Sequence, residues 1–130
     1  MGIKMAIKTK EVIIKVESQK EFFNRQKNIF KDLDRGMLPK QESSYSFQNI
    51  EDYRKTLTPK RLELLSVIRH KKPKSMYELS KMVNRDFKNV SEDIHILKEV
   101  GLIEIEEKDI PKKIIIPSVK FDRLRISIPI

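Results

Sequence analysis

The first third of the chain combines one strand-like run with one helical pattern. Val12 to Val16 are typical of a short strand, and Ser18 with Glu21 forms a capping box that starts a helix. Gly36 supplies the stop for that helix. Residues 38–46 contain a proline and three serines without a hydrophobic period, which predicts a loop. The apolar residues at helical spacing are Phe22, Ile29, Phe30, Leu33 and Met37.

Four residues with short polar side chains mark helix starts in the middle of the chain. Asn49 caps a short predicted helix that runs to Leu57. Thr58 starts the next, because the proline after it lacks the N–H that a first helical turn leaves unpaired. Ser75 and Asp86 start two more. The predicted apolar residues of the last three helices are Leu62, Leu64, Leu65 and Ile68, then Tyr77, Leu79, Met82 and Val83, then Phe87, Val90, Ile94 and Leu97.

The end of the chain changes from helical to strand-like patterning at Gly101, a typical helix terminator. Two strand-like runs, GLIEIEE and KKIIIP, follow with a short connection at residues 108–111, which predicts a hairpin. In the last ten residues, apolar and polar positions alternate as in a half-buried strand. The apolar positions of that strand are Leu124, Ile126, Ile128 and Ile130.

Three helices followed by a β-hairpin, with a tight connection between the second and third helices, is the order of a winged helix-turn-helix domain. In that motif the third helix enters the major groove of DNA and the hairpin reaches neighbouring phosphates. We therefore predict an α+β fold with a three-helix core and a hairpin wing. An N-terminal strand-helix arm would occupy residues 1–45, and the winged domain with its C-terminal strand residues 46–130.

The charge balance narrows the class of partner. The chain carries 28 Lys and Arg residues and 19 Asp and Glu residues, for a net charge of +9. This excess favours polyanionic partners, although charge alone does not separate DNA from RNA, an anionic membrane surface or an acidic protein. Residues 60–74 form the densest candidate phosphate-facing patch, with Glu63 as their one acid. Its basic residues are Lys60, Arg61, Arg69, Lys71, Lys72 and Lys74.

Composition argues against several other classes. The absence of cysteine excludes disulfides and cysteine-based zinc sites, and His70 and His95 lack ligand-like spacing, so we expect no metal or cofactor. No glycine-rich phosphate loop, nucleophile elbow or His–carboxylate pair is present, which predicts no enzymatic activity. Apolar runs are far shorter than the roughly 18 residues of a membrane span. We expect a soluble cytoplasmic protein without a membrane partner.

Three segments carry a resemblance to a known family: SFQNIEDYRKTLTPKRLELLSVI, SMYELSKMVNRDFKNVSEDIHILKEVGLIEIE and IPSVKFDRLRISI. They resemble archaeal and bacterial winged helix-turn-helix transcriptional regulators of the MarR-like and antitoxin-like type. The resemblance implies DNA binding, transcriptional control and a homodimer, without catalysis. It places Arg85, Lys88, Asn89 and Ser91 at the DNA-facing start of the third helix. Glu92 departs from the pattern, since relatives often have a basic residue there. Its carboxylate would repel phosphates, accept a hydrogen bond from cytosine, or face away from the DNA.

The candidate DNA-binding residues combine the resemblance with the basic patch and the hairpin. Lys108, Lys112 and Lys113 flank the hairpin turn, where they would meet the DNA backbone. A helix whose outer face is only solvated shows the same polar residues. Because a fold does not by itself determine function, a winged module that binds protein instead of DNA is an alternative. The full set is Lys71, Lys72, Lys74, Ser75, Arg85, Lys88, Asn89, Ser91, His95, Lys108, Lys112 and Lys113.

A homodimer is the expected oligomer, because a two-fold dimer doubles the DNA contacts of a small domain. The apolar stripe of the N-terminal helix has to be buried against another surface. The last strand would also leave an open edge unless the strand at Val12 to Val16, of the same or a second subunit, pairs with it. A toxin clamped by the arm is the alternative partner. The candidate dimerisation residues are Val12, Ile14, Phe22, Ile29, Phe30, Leu33, Leu124, Ile126 and Ile128.

Overall fold

A computed structural model describes residues 10–37, 44–109 and 111–130, which form an α+β fold. The described residues contain five strands and five helices. In chain order these are β1 (Glu11–Val16), α1 (Gln19–Asp34), β2 (Ser44–Phe47), α2 (Ile50–Thr56), α3 (Pro59–Lys71), α4 (Met76–Met82), α5 (Phe87–Val100), β3 (Glu104–Lys108), β4 (Ile114–Ser118) and β5 (Arg123–Ser127).

The helix starts follow the capping residues that the sequence predicted. Ser18 and Glu21 complete a capping box at α1. The side chains of Asn49, Thr58, Ser75 and Asp86 each accept a hydrogen bond from a backbone N–H in the first turn of α2, α3, α4 and α5. These bonds satisfy donors that a helix start otherwise leaves unpaired, and they fix where all five helices begin.

Three parallel strands form the first sheet, with β1 between β2 and β5. Val12, Ile14 and Val16 alternate as buried residues along β1. Val12 pairs in register with Leu124 of β5, so the predicted pairing of the first and last strands occurs within one chain. The central strand thereby has hydrogen-bonded neighbours on both sides.

The predicted loop at residues 38–46 is wrong for its last three residues. Residues 38–43 lie outside the described part of the chain, but β2 begins at Ser44 and pairs with β1. The side chains of Tyr45 and Phe47 pack against the core. Their period-two spacing was a strand signal that the neighbouring serines obscured.

One hydrophobic core joins the sheet to α3, α4 and α5. Ile14 from β1, Leu64 from α3, Leu79 from α4 and Leu97 from α5 are all fully buried in it. The predicted division at residue 45 therefore does not separate two cores, and it falls inside β2. A strand of the expected arm is part of the same packed unit as the helices.

Three residues that the helical patterns assigned to the apolar stripes of α3, α4 and α5 are exposed. Leu62 lies outside the buried stripe of α3, which consists of Leu64, Leu65 and Ile68. Tyr77 is 60% exposed on α4 and Phe87 is 48% exposed at the first position of α5. The periodicity located the helices, but it did not show which edge of each stripe a neighbour would cover.

The predicted hairpin is present, with β3 and β4 antiparallel and Lys108 opposite Ile114. Its strand β4 packs against α3 and α4. The final strand is shorter than the alternation predicted, because β5 ends at Ser127 and the side chains of Ile126, Ile128 and Ile130 are exposed. Within the described residues, no helix has the length and apolar character required to cross a membrane.

Candidate functional site

An open groove of about 710 Å³ lies between α5, the start of α4 and the β3–β4 hairpin. Five of the predicted DNA-binding residues, from three separate segments of the chain, line this one groove. They are Ser75, Ser91, His95, Lys112 and Lys113. The fold therefore brings together residues up to 38 positions apart in sequence (113 − 75 = 38), on one side of the molecule.

The groove is lined by apolar side chains together with four charged residues. Met76 and Ile94 are buried at its base, and the exposed rings of Tyr77 and Phe87 stand at the starts of the two helices. The hairpin contributes Ile105, Ile114 and Ile115. The charged residues around it are Lys98, Glu107, Lys112 and Lys113. This composition was not predicted from the sequence, because the apolar residues come from elements whose packing is not local.

The other predicted DNA-binding residues lie outside the groove lining. Lys88 and Asn89 are exposed in the first turn of α5, and Lys108 is exposed at the end of β3. Lys71, Lys72 and Lys74 are exposed around the C-terminal end of α3. All six side chains are accessible to a partner, but none of them lines the groove.

Arg85, one of the predicted DNA contacts, is engaged by a carboxylate of its own chain. Its guanidinium Nη2 donates a 2.7 Å hydrogen bond to Oδ2 of Asp93, and its Nη1 is buried without a partner. Oδ1 of the same carboxylate accepts a 3.0 Å bond from Arg61. Arg61 also donates to the carbonyl oxygens of Lys55 and Thr56 at the end of α2. Arg85 is thus held in an ion-pair network that joins α2, α3 and α5.

The basic patch at residues 60–74 is also partly neutralised within the chain. Arg61 pairs with Asp93, and Arg69 pairs with Asp122, which precedes β5. The Arg69 guanidinium, by hydrogen bonding to the Asp122 carboxylate, lowers the pKa of that carboxyl below its usual value. Both arginines of the patch are therefore paired with carboxylates of the same chain. The patch offers fewer positive charges to phosphates than its sequence indicated.

The outer surface of α5 carries charges of both signs. Lys88 and Lys98 are exposed, and so are Glu92 and Glu99. His95 lies 4.0 Å from Glu99, with both side chains largely exposed. The four permanent charges cancel, because two lysines oppose two glutamates. The adjacent hairpin carries three exposed lysines and four exposed acids, so neither element has a net positive charge. The lysines are Lys108, Lys112 and Lys113, and they are outnumbered by Glu104, Glu106, Glu107 and Asp109.

Helix α1 is anchored at one point and is otherwise little covered. Oε1 of Glu17 accepts a 2.7 Å bond from Arg25 and a 2.6 Å bond from the Ser46 hydroxyl. The Arg25 guanidinium lowers the pKa of the Glu17 carboxyl. No residue of α1 is buried, and Phe30 is 65% exposed. The other exposed apolar side chains of the helix and its C-terminal end are Phe23, Leu33 and Met37.

The candidate dimerisation residues separate into two groups. Val12 and Ile14 cannot serve an interface in this structure, because β1 buries them in the core of its own chain. Leu124 is partly buried against that same core. The remaining candidates keep at least part of their surface accessible, and they are Phe22, Ile29, Phe30, Leu33, Ile126 and Ile128.

The described residues offer no cluster of three or more His, Asp or Glu side chains that could hold a metal ion.

No curated protein and no solved structure matches the chain. Residues 56–126, more than half of the sequence, match the HVO_A0114 family. The match extends from the end of α2 through α3, α4, α5 and the hairpin into β5. The chain therefore belongs to the HVO_A0114 family.

Proposed function

We propose that the protein is a sequence-specific DNA-binding regulator of transcription with a winged helix-turn-helix fold. In this proposal α3, α4 and α5 are the three helices, α5 is the recognition helix, and the β3–β4 hairpin is the wing. The order of these elements and the packing of α4 against α5 support the assignment. No catalytic step is part of the proposed function.

One observation carries the proposal. Ser75 at the start of α4, Ser91 and His95 on α5, and Lys112 and Lys113 beside the hairpin turn all line the same groove. A winged domain presents these three elements to one stretch of duplex, with the recognition helix in the major groove and the wing at the backbone. Polar side chains on the helix can then read bases while the hairpin lysines position the domain on phosphates.

The charge distribution suggests different roles in DNA binding for α5 and for the β3–β4 hairpin. Because the permanent charges on the outer surface of α5 cancel, that helix adds little non-specific attraction. The hairpin holds three exposed lysines next to its turn, Lys108, Lys112 and Lys113. Its four exposed acids give it a net charge of 3 − 4 = −1, so its attraction for DNA depends on direct contact of these lysines with phosphates. We therefore assign affinity for any DNA to the wing, and base discrimination to Lys88 and Asn89 at the start of α5.

Selection from a random pool of duplex DNA tests the proposal, followed by affinity measurements for the selected site at several salt concentrations. We expect one enriched sequence, and an affinity that falls with rising salt. Replacing Lys108, Lys112 and Lys113 together by Gln should reduce affinity for all sequences alike. It should also flatten the slope of log K against log salt by about 0.9 for each phosphate that the hairpin no longer neutralises.

A matched variant separates this effect from a change in net charge. Lys10, Lys55 and Lys120 are exposed outside α1, α4, α5 and the hairpin, and replacing all three by Gln removes the same three charges from positions outside the proposed DNA and dimer interfaces. We expect this variant to keep the wild-type salt slope. No enrichment of any sequence, together with equal slopes for the two variants, would contradict the proposed function.

We further propose that a homodimer binds DNA, with the α1 helices of two copies covering each other. Phe30 and Leu33 are exposed on a helix that has no buried residue of its own. Burying such apolar surface against a second copy is favourable, and a two-fold dimer matches a palindromic site. Protection of two half-sites about one helical turn apart in a footprint would support this arrangement.

The same exposed helix favours a second candidate function, in which α1 holds a different protein. An antitoxin that clamps a toxin, or a winged module that binds protein without DNA, would use Phe23 and Phe30 in that way. Sedimentation at micromolar concentration discriminates between the candidates. A monomer by sedimentation that enriches no sequence in the DNA selection favours the protein-interaction function. A dimer that enriches a palindrome favours the regulator.

A further inference from the structure

We propose that the groove between α5 and the β3–β4 hairpin binds an amphipathic organic anion, namely a carboxylate with a medium-length apolar body. Binding of this ligand is independent of the proposed DNA-binding function. Only its regulatory consequence, competition with DNA, rests on that function.

The apolar character of the groove requires an occupant with apolar surface. Met76 and Ile94 form its buried base, and Ile105 lines the facing wall on the hairpin. Tyr77 and Phe87 extend this surface into solvent, with 60% and 48% of their area exposed. A hydrocarbon body that covers these side chains gains free energy in proportion to the area it removes from water. A hydrated phosphate gains nothing comparable from them.

The charge at the edge of the groove determines which head group fits. Lys98 on α5 and Lys112 and Lys113 at the hairpin turn face one acid, Glu107, so the permanent charge of the lining is 3 − 1 = +2. Lysine side chains lay their methylene stems along apolar surface and keep the ammonium group at the water boundary. A carboxylate at the groove edge meets these ammonium groups, while a cationic head group is repelled by them.

The size of the groove suits a small molecule. Its volume of about 710 Å³ lies within the range of roughly 300–1,000 Å³ that is usual for ligand pockets. The walls come from two helices and a hairpin, which are hydrogen-bonded elements and do not have to fold around the ligand. A medium-chain carboxylate such as decanoate has the required apolar body and single negative charge.

Occupancy of the groove has a direct consequence for DNA binding. Ser91, His95 and the two hairpin lysines line the groove and are also proposed DNA contacts. A ligand carboxylate that engages Lys112 and Lys113 neutralises the charges that would otherwise meet phosphates. Ligand and DNA should therefore exclude each other, and each should weaken the apparent affinity of the other.

Calorimetry on the full chain without DNA tests the ligand site, with the two ionic probes kept below their micelle-forming concentrations and the alcohol below its solubility limit. Decanoate, decanol and decyltrimethylammonium share the apolar chain and differ in head-group charge. We expect the affinity to fall in that order. The triple variant Lys98→Gln, Lys112→Gln, Lys113→Gln should bind decanoate about tenfold more weakly and leave decanol unchanged. The control Lys20→Gln, Lys60→Gln, Lys120→Gln removes three exposed charges outside the groove and should bind as the wild type does.

Three calorimetric results would overturn the proposal: no binding of decanoate, equal affinity for the three probes, or equal decanoate affinity in the groove and control variants. Circular dichroism of each variant establishes that it is folded. A self-association that is broken by Tyr77→Asp would assign the groove to a second copy and would also overturn it. Decanoate binding without any selected DNA site supports the ligand site and contradicts the regulator, whereas a selected site without decanoate binding does the reverse.

Discussion

The ring of Tyr45 occupies the space that a side chain at Gly101 would need. The Tyr45 hydroxyl donates a 2.7 Å hydrogen bond to the Gly101 carbonyl oxygen, and a Cβ at Gly101 would lie 2.6 Å from the tyrosine Cε1 atom. Gly101 ends α5 with φ of 92°, a conformation that favours glycine. Strand β2 and the C-terminal end of α5 are therefore joined by one close contact across 56 residues of sequence.

Gly101→Ala should lower the free energy of unfolding by about 2–3 kcal/mol. Part of this loss is the cost of a left-handed backbone for alanine, and the rest is displacement of the Tyr45 ring. Denaturant titration measures the change. Gly36→Ala is the matched control, because Gly36 also has positive φ, at 77°, but nothing lies within 4 Å of its added Cβ. It should lose only about 1 kcal/mol, and equal losses in the two variants would contradict the contact.

Features that depend on local chemistry were predictable from the sequence. Ser18, Thr58 and Ser75 marked helix starts correctly because a cap needs only a side-chain oxygen three residues before a backbone N–H. Strand β2 was missed because it is four residues long and half of it is serine. Its place beside β1 depends on a partner about 30 residues away, and local patterning carries little information on that.

The candidate site was predictable only in part, for a related reason. The spacing along α5 placed Ser91 and His95 on its outer face, and both line the groove. The ion-pair network of Arg85 was not predictable from the sequence. Its partner Asp93 also binds Arg61, which lies 32 residues before Asp93 in the chain. A basic residue beside a helix start has the same sequence signature whether it meets phosphate or a carboxylate of its own chain.

The ion-pair network of Asp93 predicts a stability effect. Asp93→Asn leaves two partly buried guanidinium groups without their counter-charge, and we expect a loss of about 2–3 kcal/mol in the free energy of unfolding. Glu92→Gln, at the exposed neighbouring position, should change it by less than about 0.5 kcal/mol. Thermal denaturation followed by circular dichroism compares the two variants, and similar midpoints would show that the network adds no stability.

Arg85 provides the complementary test of the same network. Arg85→Ala should destabilise the protein by about 2 kcal/mol, yet leave the affinity of the folded protein for its selected DNA within about twofold. The reason is that Asp93 already engages the Arg85 guanidinium. Fluorescence anisotropy at a temperature where the variant is folded measures this affinity. A large loss of affinity without a loss of stability would restore Arg85 as a DNA contact.

The anchor of α1 should make stability depend on pH below the usual titration range of glutamate. The pKa of Glu17 is lowered in the folded state by Arg25, so its contribution is present above the unfolded-state pKa and is lost as the pH falls through the folded-state value. We expect Glu17→Gln to cost about 1–2 kcal/mol near neutral pH. Denaturant titrations from pH 6 to about pH 3 should show the two proteins converging, whereas a constant difference would contradict the assignment.

Lys88 and Asn89 should determine sequence preference. Replacing both by Ala is expected to weaken binding to the selected site by about 1–3 kcal/mol for each base that is no longer hydrogen-bonded, with little loss of helix because both side chains are exposed. Affinity for random duplex should fall much less. Anisotropy with both DNAs measures the ratio. If the folded double variant keeps the wild-type preference, another element reads the bases.

The exposed surface of α1 should determine the oligomeric state. Phe30→Glu and Leu33→Glu place charges on side chains that are exposed in the single chain and buried in the proposed dimer. Neither change disturbs the core, because α1 contains no buried residue, so the monomer should stay folded. The proposed dimer should weaken sharply, since an unpaired carboxylate in an apolar interface is costly.

Sedimentation equilibrium at micromolar concentration compares the wild type with the double variant. We expect a wild-type mass near twice 15.4 kDa and a variant mass near 15.4 kDa. Ile126→Glu with Ile128→Glu is the control, because these exposed residues lie at β5 and just after it, away from the proposed α1 contact. A dimer that dissociates in the control but persists in the α1 variant would move the interface to the open edge of β5, where strand pairing rather than helix packing would join the two copies.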